Sequence, residues 1–550
     1  MVQFYRPLGP TIDVNDFTDN HQSKAVMTAL DDGGYAVAWE SVDQDGDGDG
    51  IYARVLNADG SFRTDEFQVS ARTYGDQGYP GIVARNGGFD IVYFSEYDQD
   101  FDGAGIYLES YSSDGTKTDT NYLRPPIVSE VAPGIAEANG SLTVFYNAPY
   151  ADGAQIAQRL NAYVIDDQST PVQVTVASDY SAGKLFDELD AVTLKDGSKV
   201  AIWDTQDVDG DVQGMFGQRF DAEGNRLGSE FQINRDGDGA QWEGSVAALN
   251  DGGFVVTYTS GYDHDGSAWG VFMQRYDASG ATVGGNRQVN TTTFGDQMES
   301  DVVAMPDGGY IVAWADYGVD YSIAMQRFDA RGVRVGDETD VVSDATDFFR
   351  DPSISVQSDG SFAVTYTASR SNYEVETILF EASYFGSAAD DVIRDTGRAD
   401  WVWGRKGDDV ISGLRGEDIL AGNKGNDRLF GGGQSDKLYG GQGRDVLKGG
   451  TGHDVLKGGN MRDILDGQQG RDRLVGGDGK DVFQFRAGDG RDRVTDFDVS
   501  ADTLRFRDLT ENDLTISDRG SDLLIRYEGG SVVVLDTNEA DLAANSIIYA

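Results

Sequence analysis

Residues 422–457 read GNKGNDRLF, GGGQSDKLY, GGQGRDVLK and GGTGHDVLK, which are four consecutive units of nine residues with one common pattern. Each unit opens with glycine, carries aspartate at its sixth position and places an apolar residue at its eighth. The same register continues without insertion or deletion over eleven units, from Gly386 to Gln484. A strict short period predicts a coil in which each unit stacks on its neighbours, because no single unit can bury its apolar face alone.

The sixth position holds the residues that point to a metal. It is aspartate in all eleven units: Asp391, Asp400, Asp409, Asp418, Asp427, Asp436, Asp445, Asp454, Asp463, Asp472 and Asp481. A nine-residue unit accommodates one tight turn and one short strand, so two units complete one turn of a coil with the eighth residue inside. Calcium takes about six to eight oxygen ligands, which turn carbonyls and carboxylates can supply. We therefore expect a parallel β-roll over 386–484 that binds multiple Ca²⁺ ions.

The units GNKGNDRLF (422–430) and GGTGHDVLK (449–457) resemble the repeats of the RTX family of secreted calcium-binding proteins. The resemblance implies calcium held between loops two units apart and export by the type I secretion machinery. This chain departs from the pattern at the fourth position, where glycine is replaced by Ala389, Arg398, Gln434 and Met461, and Asp395 opens the second unit. At the fifth position, where the family often has Asn or Asp, the later units carry Arg444, His453, Arg462, Arg471 and Lys480.

A longer period fills residues 1–385. Its anchor is a turn such as DDGGY or NDGGF, whose first glycine recurs every 52 to 57 residues at Gly33, Gly87, Gly140, Gly197, Gly252, Gly308 and Gly360. Six residues later stands an aromatic residue: Trp39, Tyr93, Tyr146, Trp203, Tyr258, Trp314 and Tyr366. Apolar runs on both sides of each turn are typical of strand–turn–strand units. We expect the seven aromatic residues to pack one sheet against the next.

Each long unit accommodates four strands, which is typical of a β-propeller blade. The last unit has three strand candidates, at 353–357, 361–367 and 375–382, and the missing fourth is found at the N-terminus, where IDVN at 12–15 matches FQVS at 67–70. The sequence therefore predicts an all-β chain: a seven-bladed propeller over 1–385 closed by the N-terminal strand, the β-roll over 386–484, and a small β cap over 485–550. The stretch VFMQRYDASGATVGGNRQVN (271–290) is similar to repeats found beside RTX tracts in secreted bacterial proteins.

The acidity of the chain lies in the predicted propeller. The net charge is −50 overall but only −2 over 386–484 and −7 over 485–550, which leaves −41 for 1–385. We expect no nucleic acid partner, because an acidic surface repels phosphate. The chain has no cysteine, no apolar run long enough for a transmembrane segment and no Sec-type signal at its N-terminus. With the RTX resemblance, which implies an uncleaved secretion signal around Ala543–Ala550, we expect a secreted or cell-surface protein.

Several predicted blades carry alternating aspartates between their second and third strands. These are Asp43, Asp45, Asp47 and Asp49 in the first, Asp98, Asp100 and Asp102 in the second, then Asp207, Asp209 and Asp211, and finally Asp263 and Asp265. The corresponding segments ADYGVDYS (315–322) and ASRSNYEV (368–375) lack the pattern. Two interpretations remain open: the loops bind further calcium ions, or they are solvated acidic hairpin tips.

No catalytic motif is present among the residues. The three histidines, His21, His264 and His453, do not form HExxH, and neither a nucleophile elbow nor a phosphate-binding loop occurs. We therefore favour a calcium-dependent recognition or adhesion protein over an enzyme, with no catalytic residues assigned. Its partner would be an anionic polysaccharide, bound through calcium, or a second copy of itself. The alternatives are a self-assembling surface-layer or matrix protein, and a polysaccharide hydrolase or lyase that uses a carboxylate pair.

Overall fold

The structure is a computed structural model. It describes residues 7–70, 73–97, 104–123, 132–138, 140–152, 155–165, 172–175, 189–206, 213–234, 239–261, 269–318, 320–369, 373–380, 383–385, 390–394, 401–542 and 546–549. The chain forms two compact units, Met1–Phe380 and Glu381–Ala550. Both are built from β-strands; within the described residues the only helices are the single 3₁₀ turns Glu511–Asp513 and Glu539–Asp541. No described helix has the length and apolar character needed to cross a membrane.

The first unit is a seven-bladed β-propeller, and each blade is one antiparallel sheet of four strands, in chain order in all blades but the seventh. Blades 1 to 3 comprise Gln22–Ala29, Tyr35–Val42, Asp49–Leu56 and Phe67–Gln68; Gln77–Arg85, Gly88–Ser95, Gly105–Ser112 and Lys117–Leu123; Gly134–Ala138, Ser141–Asp152, Gln155–Ile165 and Val172–Thr175. Blades 4 and 5 comprise Leu189–Thr193, Lys199–Gln206, Gln213–Phe220 and Arg226–Gln232; Gln241–Ala248, Phe254–Gly261, Trp269–Tyr276 and Thr282–Gln288. Blades 6 and 7 comprise Asp296–Ala304, Tyr310–Tyr317, Tyr321–Phe328 and Arg334–Asp344; Phe349–Val356, Phe362–Ala368, Glu374–Phe380 and the N-terminal Ile12–Asp13.

The ring closes as the sequence predicts. Ile12 and Asp13 pair antiparallel with Thr377 and Glu376, and Val14 N–H donates to the Val375 carbonyl at 2.8 Å. The first strands of successive blades contact each other all the way round, including blade 7 against blade 1, so these strands surround the axis. The seven anchor glycines adopt positive φ between 77° and 92°, which explains why glycine stands at each first turn.

The seven predicted aromatic residues are buried in the second strand of each blade. Each packs onto the blade before it in the ring. Trp314 of blade 6, for example, lies in one apolar cluster with Val271 and Met273 of blade 5, and Trp39 of blade 1 clusters with Ala363 and Val375 of blade 7. The prediction that they pack sheet against sheet is confirmed.

The second unit is a parallel β-solenoid of two short strands per coil. The strands of the repeats are Ser383–Phe385, Val392–Arg394, Trp401–Lys406, Val410–Ser412, Ile419–Lys424, Arg428–Gly433, Lys437–Gln442, Val446–Gly452, Val455–Asn460, Ile464–Gly470, Arg473–Asp478 and Val482–Phe485. From Ser383–Phe385 to Ile464–Gly470, each pairs with the strand two units on, in a register of 18 residues such as Leu429 with Leu447. The eighth-position residues from Val402 to Phe483 are fully buried and form one thin core.

After the repeats, the coil continues with longer connections. The strands are Gly490–Val494, Thr503–Phe506, Thr515–Arg519, Asp522–Tyr527, Gly530–Val534 and Ile547–Tyr549. Leu474 pairs with Val494, and Val494 with Val534, while Thr515–Arg519 and Asp522–Tyr527 form an antiparallel hairpin beside this column. The strand-like runs expected in the predicted cap therefore form strands, and they share one core with the repeats.

Candidate functional site

The sixth-position aspartates form a ladder along the coil. The nine described ones from Asp409 to Asp481 are each at most 2 % exposed. In eight of them one carboxylate oxygen, Oδ1, accepts the backbone N–H of the described aspartate 18 residues earlier; Asp427 N–H, for instance, donates to Asp445 Oδ1 at 2.8 Å. Asp391 is half-buried and donates its N–H to Asp409 Oδ1 at 2.9 Å, while Asp400 lies outside the described residues.

The second oxygen, Oδ2, faces a different environment. In eight of these side chains Oδ2 is buried and accepts no hydrogen bond from the described residues: Asp409, Asp427, Asp436, Asp445, Asp454, Asp463, Asp472 and Asp481. A buried carboxylate oxygen without a donor is costly, so it indicates a ligand of opposite charge. Burial raises the pKa of all eight, to about 6 for Asp454 and to about 8 for Asp463 and Asp472.

The glycine that opens each unit makes room beside this oxygen. A Cβ atom on Gly440 would collide with Asp445 Oδ2 and with the carbonyl oxygen of Gly458. The equivalent carboxylate and carbonyl oxygens of other units lie in the same way beside Gly404, Gly431, Gly449 and Gly458. Each such cradle therefore gathers one carboxylate oxygen and one carbonyl oxygen from the next coil. Hard oxygen donors of both kinds are what calcium prefers, so these residues fit a calcium ion.

Two further carboxylates, which the sequence prediction did not include, continue the ladder. Asp472 N–H donates to Asp492 Oδ1 at 3.1 Å, and Asp481 N–H donates to Asp502 Oδ1 at 2.9 Å. They take the sixth-position place in the following coil, but two or three inserted residues shift them out of the strict nine-residue period. The signal that could have identified them is an aspartate two places before an apolar residue, Val494 or Leu504.

In the propeller, one of the four predicted acidic loops falls within the described residues. Asp43, Asp45, Asp47 and Asp49 are exposed or half-buried. Asp45 accepts hydrogen bonds from Asp47 N–H and from Gln68 at 3.3 Å each, and burial raises the pKa of the Asp45 carboxyl. The calcium assignment of this loop stays a prediction. Eight predicted ligands lie outside the described residues: Asp98, Asp100, Asp102, Asp207, Asp209, Asp211, Asp263 and Asp265.

One other carboxylate group was not predicted. Among the described residues, Asp13, Glu374 and Glu376 form the one trio of possible ligands whose oxygen atoms lie within 4.8 Å of each other. They stand on the two paired strands that close the ring, and Glu376 Oε2 accepts the Tyr366 hydroxyl at 2.9 Å.

The axis of the propeller carries an ordered set of charged side chains. The first strands of five blades contain a β-bulge whose residue adopts a left-handed φ of 49° to 57°: Lys24, Tyr79, Glu243, Glu299 and Asp351. Such a conformation is uncommon outside glycine and is concentrated at functional positions.

Three of these residues, Glu243, Glu299 and Asp351, are termed here the axial carboxylates. They link neighbouring blades in sequence. Glu243 Oε2 accepts Glu299 N–H at 3.1 Å, Glu299 Oε2 accepts Asp351 N–H at 2.8 Å, and Asp351 Oδ2 accepts Lys24 N–H at 3.3 Å. Burial, followed by the charge of Asp351, raises the pKa of Glu299 to about 8. The signal that could have identified these three is their common position, nine residues before the anchor glycines Gly252, Gly308 and Gly360.

Comparison with known proteins identifies the coil. Residues 385–494 match the RTX calcium-binding nonapeptide repeat (4 copies) in five overlapping windows: 385–420, 412–447, 421–456, 448–483 and 457–494. The C-terminal unit is thus built on RTX calcium-binding repeats, as the sequence indicates. No curated protein matches the chain.

Solved structures resemble the propeller at low identity. A protein of unknown function from Dyadobacter fermentans is 11 % identical with a TM-score of 0.42, over 69 % of this chain and 100 % of that chain. A polysaccharide lyase described as an ulvan lyase is 14 % identical with a TM-score of 0.46, over 67 % and 96 %. An α-L-arabinanase from Penicillium chrysogenum is 11 % identical with a TM-score of 0.39, over 68 % and 98 %. At these values none of them assigns an activity to this chain.

Proposed function

We propose that this chain is a secreted calcium-binding protein of the cell surface or extracellular space. Its propeller is the recognition and adhesion module, and its coil is a calcium-triggered folding and export element that leaves through type I secretion machinery. The observation that carries the proposal is the ladder of buried carboxylates whose Oδ2 atoms face glycine carbonyls. Extracellular calcium modules bind at about 10⁻⁴–10⁻³ M, so the cradles would stay empty in a low-calcium cytosol and fill outside.

Several ions should bind, because the same cradle recurs along both sides of the coil. Isothermal titration of decalcified protein with calcium tests this directly. We expect uptake of more than one ion per chain, with folding of the coil following the same titration in circular dichroism. Binding of no calcium, or binding without any change in β-structure, would contradict the proposal.

For the propeller, we propose calcium-mediated recognition of an anionic polysaccharide. The support is the charge of −41 over 1–385 and the aspartate-rich loops, which could hold ions that also bind carboxylate or sulfate groups of a glycan. The test measures retention on polygalacturonate in calcium for the variant Asp43→Asn, Asp45→Asn, Asp47→Asn, Asp49→Asn. The control variant neutralises four exposed acidic residues elsewhere on the ring: Asp65→Asn, Glu223→Gln, Asp320→Asn and Asp337→Asn.

Loss of retention only in the loop variant supports the proposal. Equal retention by both variants contradicts it for this loop. Calcium-driven assembly of the pure protein without any polysaccharide would instead favour a surface-layer or matrix protein.

The axial carboxylates favour a second candidate, a polysaccharide hydrolase or lyase. A carboxyl group with a pKa near 8 is protonated at neutral pH and can act as a general acid, as Glu299 would beside the charged Asp351. Tyr317 lies close, with its hydroxyl 3.5 Å from Glu299 Oε1. The test is whether the protein releases sugar fragments from a polysaccharide, and whether Glu299→Gln abolishes this release while calcium-dependent folding stays unchanged. Both results together would show that the ring is catalytic rather than adhesive.

A further inference from the structure

A four-residue sequence, GRDR, occurs twice near the end of the coil, at 470–473 and at 490–493. The two copies lie side by side as parallel neighbours. Gly470 pairs with Gly490 and Arg473 pairs with Arg493, and Asp472 N–H donates to Asp492 Oδ1 at 3.1 Å. The repetition in sequence therefore becomes a stack in space, although it is 20 residues apart rather than 18.

In this stack the two kinds of side chain face opposite ways. Asp472 and Asp492 are at most 4 % exposed and belong to the carboxylate ladder inside the coil. Arg471, Arg473, Arg491 and Arg493 are all exposed, and we call these four the arginine array. Neighbouring strands are about 4.8 Å apart and alternate residues along a strand about 6.6 Å apart, so four guanidinium groups start from the corners of a small rectangle.

The array carries an electrostatic cost, which the coil also has at the paired residues Lys406 and Lys424. Like charges directly opposite each other on paired strands are destabilising, and within the described residues none of the four arginines forms an ion pair. Earlier coils use the fifth position differently. There Asp390 Oδ1 accepts Asp408 N–H at 2.8 Å and Asp408 Oδ1 accepts Asn426 N–H at 2.7 Å, so these side chains tie one coil to the next. Like charges placed side by side without a compensating partner are expected mainly at functional sites, so a functional role is the first hypothesis for these arginines.

We propose that the arginine array binds the sulfate or carboxylate groups of an anionic polysaccharide. The guanidinium fork donates paired hydrogen bonds to a single oxyanion, and two stacked pairs can engage successive charged sugars of one chain. A protein partner fits less well, because protein interfaces have an apolar centre, whereas residues 462–542, all of them described, expose no large apolar side chain. The proposal goes beyond the function assigned above, since the contact is made by the coil and not by the ring.

The array also predicts an unusual dependence on calcium. Its four side chains come together only when the two GRDR segments are stacked, and that stacking involves the Asp472–Asp492 rung of the ladder. Polysaccharide binding at this site should therefore require calcium even though the sugar touches no metal ion. By linkage, a bound polyanion should in turn raise the apparent calcium affinity of the coil.

The test uses the full-length protein in saturating calcium, with dextran sulfate as the probe and uncharged dextran as its matched reference. The variant is Arg471→Gln, Arg473→Gln, Arg491→Gln, Arg493→Gln. The control removes four exposed cations from earlier coils: Lys406→Gln, Arg415→Gln, Lys424→Gln and Arg428→Gln. Calcium-dependent circular dichroism first establishes that both variants fold as the parent protein does.

We expect dextran sulfate to bind and dextran not to bind, with affinity falling about tenfold or more in the array variant and much less in the control. Replacing the four arginines by lysine should restore only part of the affinity, because lysine keeps the charge and loses the fork. Equal losses in the array and control variants would overturn the proposal in favour of general charge attraction. Unaltered binding by the array variant would overturn it outright. A concentration-dependent dimer in sedimentation that the array variant loses would replace the glycan by a second copy of the chain.

Discussion

The ring and the coil are both made of short strands, yet they are stabilised in different ways. Each blade buries about half a dozen or more apolar side chains against its neighbour, including a Trp or Tyr from its second strand. From Val402 to Phe483 the coil buries one apolar eighth-position side chain per nonapeptide and, beside it, a carboxylate whose Oδ2 has no donor among the described residues in eight cases. A buried leucine contributes only about 1.5–3 kcal/mol, so the coil needs a further source of stability that the ring does not.

Calcium removal should separate the two regions most clearly. In decalcified buffer we expect the backbone amides of 401–485 to lose protection against hydrogen exchange. The reason is that burying an ionised carboxylate without its bound cation is costly in free energy. The amides of the second strands of the blades, such as Tyr310–Tyr317, should remain protected. Mass spectrometry of the exchanged peptides gives both answers in one sample. Coil amides that stay protected without calcium would remove the contrast between the regions.

The pH dependence of the coil should reverse its sign when calcium is added. Without calcium, the raised carboxyl pKa values, about 8 for Asp463 and Asp472 and about 7 for Asp436, mean that the folded coil binds more protons than the unfolded chain. Stability is then greatest near pH 4 and falls as pH rises towards 8, by about 1.4 kcal/mol per pH unit for each proton of difference. With calcium the carboxylates must be ionised, so stability falls as pH is lowered.

Circular dichroism of the coil at several pH values in resin-decalcified buffer gives the folded fraction without calcium, and urea denaturation at the same pH values in calcium-containing buffer gives the slope with calcium. The ring offers an internal comparison. Burial also raises the pKa of Asp190 to about 7, so the ring should share the calcium-free trend. The same slope for the coil in both buffers would show that its aspartates do not bind the ion.

Substitution of a single aspartate of the ladder should have opposite effects on stability without calcium and on calcium affinity. Asp454→Asn keeps the Oδ1 acceptor for Asp436 N–H, a bond of 2.9 Å, and removes the buried charge. We expect the calcium-free coil to gain about 2 kcal/mol and the calcium affinity of the variant to fall. Asp478→Asn, at an exposed third position, is the matched control and should change neither quantity by much. Lower stability of Asp454→Asn in the absence of calcium would contradict the interpretation.

The sequence predicts most of the fold because the residues that recur in both repeats each fit only one structural role. The anchor glycines require positive φ, the eighth-position residues face a core, and IDVN can complete a blade only by closing the ring. The candidate sites divide differently. The ladder follows from the period, but Asp492 and Asp502 escape a strict nine-residue pattern because inserted residues shift them. Glu243, Glu299 and Asp351 share a position nine residues before an anchor glycine, but the hydrogen bonds that join them from blade to blade depend on how the blades pack in the ring.

The smallest effect concerns the fourth position of the nonapeptide. Most glycines there have φ between 116° and 156°, and a Cβ on Gly443 would collide with the Gly425 carbonyl. Gln434 and Met461 replace glycine and relax to φ of 79° and 78°, which still lies in the left-handed region and costs about 1 kcal/mol for a side chain. Gln434→Gly and Met461→Gly should therefore each stabilise the calcium-loaded coil by about that amount, measured as a higher midpoint of urea denaturation.

Gln442→Gly is the matched control at a third position without positive φ, and it should lower the midpoint, since there glycine only adds freedom to the unfolded chain. The same three substitutions leave the ring untouched, so any shift of its transition would mean that the two regions do not unfold separately.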